Sequence, residues 1–364
     1  MRLYSSLDME KIPWGDAPRQ SYLKPLLKEG SEAFIANVNS QLYILHIDDL
    51  FIPITLNNQE YSNSYVCSIY SYLLYAEEEM QRHKKTFLKA LLFPLTSSVK
   101  LWFKLTKINK VVAVNNGFLS TNLYPKISQN QIERITHFLV RKFPQHTLLF
   151  RSLNDVTEGK TLKHLTTNGF DLITSRSVYF LNPETFASLP SKTRWILKKD
   201  RRLKENPDVE IVTHDALSVQ DAPRLKALYD QLYLEKYSRY NPAFTERFFQ
   251  EAILNKSFIL TGVKYLGNLV GVIGYFKENG VMTTPIVGYD MSAPASLGLY
   301  RLLTSLIIEE SLATKTLLNM SAGAARFKRV RGSFKTSNLW LCIQSTSQSH
   351  AKSLGRSSVF YLIK

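Results

Sequence analysis

The stretch Thr283 to Phe334, TTPIVGYDMSAPASLGLYRLLTSLIIEESLATKTLLNMSAGAARFKRVRGSF, brings together more chemistry-bearing residue types than any other part of the chain. A β-rich run ends at Tyr289-Asp290, a small-residue turn follows, and a helix opens at Gly298. A second β-rich run leads through small residues into a basic cluster. That order can set the backbone N–H groups of Ser296, Leu297, Gly298, Leu299 and Tyr300, a helix N-terminus and the cations Lys328, Arg329 and Arg331 around one anion. No acid occurs from Ser321 to Thr336, and lysine as a point charge and arginine as a fork both suit phosphate. The plainer alternatives are a helix start capped by Ser296 and a solvated basic loop. Two acids are candidates for proton transfer. Asp290 stands beside Tyr289, which is counted with it. Glu235 lies in LEKYSRYNP, whose Tyr237, Tyr240 and Asn241 could line a pocket for a second substrate. Carboxylates in such loops also serve as caps and ion-pair partners.

The elements around these residues are mixed α and β. Phe34 to Leu56 alternates apolar and polar residues as a β-meander does. A helix is expected from about Ser71 into Ala90, and Leu91 to Asn115 reads as two or three strands. Ser128 can cap a helix through Phe143, with Ile132, Ile135, Leu139 and Val140 on one face. Thr147 to Leu153 is a strand, Thr161 to Thr167 a short helix ended by Asn168-Gly169, and Phe170 to Leu181 a strand. The segment 183–192 carries two prolines among small polar residues and reads as a linker. Beyond it come a basic helix, KTRWILKKDRRLKEN, and a strand at Val209 to Val212. A helix at Asp221 to Tyr237 and another at Thr245 to Leu254 follow. Hairpins turn at Gly267-Asn268 and Asn279-Gly280, then the helix Gly298 to Ala313 and strands at Thr316 to Met320 and Trp340 to Gln344. In the basic helix Arg194, Lys198 and Arg201 or Arg202 share a face, with Trp195 and Leu203 expected inward. A phosphate- or RNA-binding stripe and an exposed amphipathic helix are both open readings.

With 364 residues the chain is long for one core, so two domains are expected, 1–182 and 193–364. The formal charge of +16 favours polyanions, either nucleic acid, nucleotide cofactors or an anionic membrane surface. Two cysteines, Cys67 and Cys342, and seven scattered histidines fit no disulfide framework or metal spacing, so no metal is expected. The N-terminus has acids where a signal peptide needs an apolar core, and apolar runs fall short of a membrane span. A cytoplasmic protein with no transmembrane segment is the expectation.

The two halves repeat one order of elements at an offset of roughly 170 residues. Strand VVAV, loop NNGFLSTNLYPK, helix SQNQIERITHFLVRKF and strand TLLFRSL match strand TTPIVGY, loop DMSAPAS, helix LGLYRLLTSLIIEESLATK and strand TLLNMSA. The first copy has Asn115-Asn116-Gly117 in the loop and no basic flank. It reads as a structural partner that walls one side of the cleft, with no chemistry of its own.

Three passages resemble the Gcn5-related N-acetyltransferase (GNAT) superfamily, and within it the tandem FemAB-like and BioF2-like acyltransferases. LKHLTTNGFDLITSRSVYF looks like the fold's closing helix and strand. KYLGNLVGVIGYF is similar to its central hairpin. RWILKKDRRLKE with the later FKRVRGSF is similar to a basic first helix and a late F-K-x-x-x-G. The resemblance implies two tandem domains, each a mixed β-sheet flanked by helices, the second being the acyltransferase domain. It implies transfer of an acyl or aminoacyl group from acyl-coenzyme A or aminoacyl-tRNA to an amine. The amides of residues 296–300 would then cradle the pyrophosphate, and Lys328 in particular would meet substrate or phosphate. Asp290 or Glu235 would take the proton of the amine. The loop DMSAPASLGLYR departs from the superfamily's R/Q-x-x-G-x-G/A in having one glycine, which leaves the donor open between acyl-coenzyme A, another thioester and charged tRNA. A polyanion-binding protein without catalysis is the alternative from a different class.

Overall fold

The computed structural model describes residues 1–15, 19–82 and 86–344, and the basic tail lies outside them. Two compact units form. One comprises Met1–Ser175, Tyr237–Ala243 and the stretch that begins at Asn338; the other comprises Arg176–Lys236 and Phe244–Ser337. The expected linker, 183–192, lies wholly in the second unit. There Pro183–Ser188 forms a 3₁₀ turn capped by the Asn182 side chain. The chain changes unit instead next to Ser175, on both sides of Tyr237–Ala243, and after Ser337.

In the first unit, strand β1 (Arg2–Tyr4) lies beside β2 (Gln41–Ile47), and β2 forms a hairpin with β3 (Leu50–Asn57). β4 (Val111–Val114) is antiparallel to β3 and parallel to β5 (Thr147–Leu153). The meander expected at Phe34 to Leu56 is thus one hairpin. It follows helices α1 (Gln20–Glu29) and α2 (Ser31–Phe34). Between β3 and β4 run α3 (Ile69–Arg82) and α4 (Thr86–Leu105). The strands expected from Leu91 are therefore helix as far as Leu105, and β4 alone remains strand. Val99, Trp102 and Phe103 have strong strand propensity, yet they pack at three- and four-residue spacing on Ile69 and Tyr70. Packing of that face decides the outcome over propensity. Helix α5 (Gln129–Lys142) opens with a full capping box between Ser128 and Gln131. Helix α6 (Asp155–Thr167) begins six residues earlier than its sequence signals, because Asn154 accepts from the amides of Val156 and Thr157. Ile132, Ile135 and Leu139 of α5 join β2 to β5 in one core. The thiols of Cys67 and Cys342 are both buried, and burial pushes each up to about 12.

In the second unit the strand order is β6 (Asp171–Leu181), β11 (Leu317–Asn319), β10 (Val281–Tyr289), β9 (Asn268–Glu278), β8 (Ile259–Tyr265) and β7 (Val209–Val212). The first five residues of β6 belong to the first unit. β7 to β10 form an antiparallel meander, and β11 joins β10 in parallel. Helix α7 (Ser191–Arg201) and helix α10 (Leu299–Ala313) pack on one another. α8 (Ala222–Asp230) lies against β10 and α9 (Glu246–Leu254), and α11 (Ala325–Arg329) follows β11. β12 (Phe334–Gln344) pairs with β5 from Leu339 onward, in the first unit. The long helix expected at Asp221 to Tyr237 changes character at Gln231, where a π-helical turn runs to Tyr237. Apolar spacing does not separate the two forms.

Gly288 of β10 explains how closely α8 approaches. A Cβ there would stand 2.6 Å from the carbonyl carbon of Leu228 and 2.6 Å from the amide of Tyr229. Helix backbone thus rests directly on strand backbone, with no side chain between. Gly288→Ala should destabilise the protein by roughly 1–3 kcal/mol through overpacking, read as a lower denaturation midpoint at unchanged m-value. A wild-type midpoint would show that α8 has room to shift.

Candidate functional site

The two parallel strand pairs of the repeat differ in one respect. In the first unit all four residues of β4 are in register with β5, from Val111↔Thr147 to Val114↔Phe150. In the second unit β10 pairs with β11 only at Val281, Met282 and Thr283. The register of β10 against β9 slips between Thr283 and Ile286, the mark of a bulge, and that pairing then continues to Tyr289. Met320 meanwhile pairs onward with Tyr179 of β6. Among the described residues no strand therefore covers the β11-facing edge of β10 beyond Thr283. Every second residue there turns its backbone away from β9, and Pro285 within this run has a carbonyl but no N–H. The Thr283 hydroxyl, at the root of this wedge, is buried and has no hydrogen-bond partner among the described residues.

Side chains from three elements stand around the opening. Tyr289 ends β10, and its hydroxyl accepts a hydrogen bond from Lys236 at 3.2 Å. Its ring is 6.2 Å from that of Tyr300 in the first turn of α10, and Tyr300 is 4.6 Å from Phe327 of α11. The chain of rings thus joins the ends of β10, α10 and the segment after β11. Helix α10 starts after Gly298, which is left-handed at φ 55°. The N-cap is Gly298, and the Ser296 side chain makes no cap bond, so the expected serine cap is not formed. The Arg301 guanidinium folds back over Gly298, where a Cβ would come within 2.6 Å of it. A cation at a helix N-terminus opposes the helix dipole. The side chains of Leu297 and Leu299 are buried in the core, so the first turn can offer only backbone there.

The basic cluster differs most from its expected role. Lys328 is buried, and its ammonium donates to the carbonyls of Met320 (2.7 Å), Ser321 (3.2 Å) and Ala322 (2.6 Å). All three donors are used inside the protein, so Lys328 is a structural pin at the end of β11 and not a grip on a donor. Burial, with the charge of Arg176 second, brings its pKa down to about 7. Arg331 is likewise internal. It donates to Asp200 of α7 at 2.7 Å and to the Phe327 carbonyl at 3.0 Å, and lies over the Phe327 ring. Only Arg329 of the expected three is exposed. An acid-free stretch looked like a ligand site because its counter-ion, Asp200, lies far away in sequence. Asp200 was legible only as the single acid between Lys192 and Lys204. It also faces Arg301 at 3.7 Å.

Asp290 is engaged as well. It accepts from the amide and hydroxyl of Ser292 and pairs with Arg224 at 2.6 Å. These partners, Ser292 first, hold its carboxyl below the usual range, which makes it a poor proton acceptor. Arg224 and Asp290 border a cavity of about 710 Å³ beside the β8–β9 turn. Glu235 is exposed on the π-helical turn. A third acid, missed in the sequence, is Asp230 at the end of α8. Burial raises its carboxyl, Lys226 opposes this at 2.5 Å, and one carboxyl oxygen is buried without a partner. Its neighbours fix its place: Tyr229 lies over Gly288, and Gln231 accepts from the amide of Met291. Tyr237, Tyr240 and Asn241 belong to the first unit. The Tyr240 carbonyl accepts from Tyr65 and Ser64, and the Asn241 carbonyl accepts from Asn37. The Asn241 amide donates to the Ser238 carbonyl and is buried.

No family model and no curated protein sequence matches the chain. Among solved structures it is similar to L-PGS from Bacillus licheniformis, at 13% identity and TM-score 0.50 over 70% of this chain and 81% of that one. It is also similar to FemX, at 7% identity and TM-score 0.48 over 66% and 82%. A tandem GNAT protein from the clavulanic acid biosynthesis pathway aligns over 93% and 97%, at 11% identity and TM-score 0.38. At these identities the likeness reaches the fold and no further. The mixed α/β fold in two parts is the one that the sequence resemblance implied.

Two outcomes follow from the internal cations. Lys328 binds fewer protons folded than unfolded between pH 7 and its ordinary value near 10.5, so its contribution to stability grows as pH rises through that window. Denaturation of wild type and Lys328→Met from pH 7 to about 10 should show wild type gaining on the variant; a constant difference would show that the three carbonyls offset burial and keep the ammonium charged. Asp200→Asn should cost about 3–5 kcal/mol, because it strands a guanidinium whose side chain is 7% exposed. A loss below about 1 kcal/mol would assign the pair to the solvated class.

Proposed function

We propose that the second unit is an N-acyltransferase that moves an acyl or aminoacyl group from an activated thioester or ester to an amine. The observation that carries this reading is the wedge between β10 and β11. It opens beside a strand edge whose N–H groups are unclaimed by sheet pairing. An extended acyl arm laid along that edge receives main-chain hydrogen bonds as an added strand would. The carbonyl to be attacked then lies near N–H donors that can stabilise a tetrahedral oxyanion, at roughly 2.7–4 kcal/mol per donor. Holding both reactants together supplies up to ~7–11 kcal/mol more.

In the step itself the amine nitrogen bonds to the carbonyl carbon, and the C–S or C–O bond to the leaving group breaks. The proton lost by nitrogen goes to a base, and the leaving thiolate or alkoxide takes up a proton. Tyr289 is the hydroxyl best placed to supply the second proton, since it ends β10 and is polarised by Lys236. The base is a group other than Asp290, whose carboxyl Ser292 and Arg224 hold below the usual range. Contacts to donor phosphates fall to the first-turn amides of α10 and to Arg301, because Lys328 and Arg331 are spent internally. These features suit acyl-coenzyme A and charged tRNA alike, and tRNA-dependent ligation is the second reading of the same site. The first copy, with β4 paired to β5 throughout, supports a structural role for that half.

Incubation with labelled acyl-coenzyme A and, separately, charged tRNA should transfer label to an amine from one of them. Transfer from neither would remove the enzyme reading. With the active donor, Tyr289→Phe should lower kcat by ~10²–10⁴-fold, whereas Asp290→Asn should leave kcat close to wild type. The reverse pattern would make Asp290 the base after all. Thr283→Val should leave unfolding stability unchanged or slightly higher, since the hydroxyl has no partner to lose. The same variant should raise KM for the donor; an unchanged KM would place the donor elsewhere.

A further inference from the structure

Helix α7 is the most one-sided surface of the second unit, and the proposed reaction does not use its outer face. Leu197 and Asp200 are buried, and Arg201 and Lys204 pair with Glu309 of α10. The opposite face carries Lys192, Arg194, Lys198, Lys199 and Arg202, all exposed. Among the described residues none of Lys192, Lys198, Lys199 and Arg202 has a carboxylate partner. In the middle of this face stands Trp195. Sequence spacing placed it inward, yet it is 62% exposed, with the Lys199 ammonium 5.4 Å from its ring centre. Next to α7, joined to it by Arg331 and Asp200, α11 repeats the composition: Arg326 and Arg329 are exposed, and so is Val330, which follows them.

We propose that this face docks on an anionic phospholipid surface. A bare indole ringed by cations matches the two layers of such a surface. The phosphate headgroups attract the lysines and arginines, and the indole enters the headgroup–acyl boundary while the lysine stems extend along it. Each cation near such a surface adds to binding, and the contribution fades within a Debye length. Single-stranded nucleic acid is the poorer fit. It is held by successive aromatic platforms along a basic groove, whereas α7 presents one aromatic ring on a convex helix, with Lys199 over it. Among the described residues no helix is long and apolar enough to cross a membrane.

The test is co-sedimentation of the full-length protein with phosphatidylcholine vesicles, with and without phosphatidylserine. Wild type should sediment only with the anionic vesicles and should be released by about 0.5 M salt. The double charge reversal Lys198→Glu/Lys199→Glu should weaken binding at least about tenfold. Trp195→Ala should weaken it several-fold. Anionic vesicles should shift the tryptophan emission of wild type to the blue, and Trp195→Phe should abolish the shift. All these substitutions lie at exposed positions, and an unchanged thermal midpoint confirms that each variant is folded. Three results would overturn the proposal. One is no sedimentation of wild type. Another is vesicle binding that the charge reversal leaves intact, which would move the contact elsewhere. The third is wild type that binds an RNA oligonucleotide through these residues and ignores vesicles.

Discussion

The parting of two parallel strands is the constraint on which the second unit is built. A strand pair must satisfy its backbone groups along its length or provide for those left over. β10 slips against β9 just after Thr283, and its further course is free of β11. The segment beyond β11 then turns toward β6, and three of its carbonyls converge where no strand neighbour can serve them all. Lys328 meets them with one ammonium. Burying a lysine is costly, and the bend is the reason it is tolerated. The aromatic chain Tyr289, Tyr300 and Phe327 and the Asp200–Arg331 pair hold the surrounding elements at this distance.

The same order of elements gives a different result in the first unit. There β4 and β5 stay in register to Phe150, and the loop after β4 is filled by its own side chains. Asn115 and Asn116 are both buried. Asn116 donates to the Thr55 hydroxyl and the Val66 carbonyl and accepts from Arg151. Arg19 reaches Asn115, and Tyr22 bonds the Gly117 carbonyl. What the second unit leaves open as strand edge, the first closes with amides and guanidinium groups. This contrast favours assigning the chemistry to the second half.

Much of the architecture could be read from local signals. Ser128 and Gln131 announce the start of α5, and the pairs Gly267-Asn268 and Asn279-Gly280 mark the hairpins that align β8, β9 and β10. Such features depend on neighbours a few residues away. The roles of the cations singled out in the sequence were not legible there. The 283–334 stretch does contain the wedge, Tyr289 and the start of α10, but Lys328 and Arg331 face inward. Their partners come from Met320 to Ala322 and from Asp200, and a search for nearby acids finds neither. Trp195 went astray by the same logic: helical spacing gives a set of faces, and only packing against α10 selects the buried one. Helix α4 shows the converse, where local propensity for strand yields to a face made by distant residues.

The filled loop of the first unit also bears on how freely that half can change. Each amide in the Asn115–Asn116 network satisfies at least one buried neighbour, so reopening that loop by a single substitution strands the others at about 1–3 kcal/mol apiece. A chain whose margin is commonly about 5–15 kcal/mol cannot absorb several such losses in sequence. The first unit is thus locked: the bonds that close its loop are the ones that make it a good scaffold.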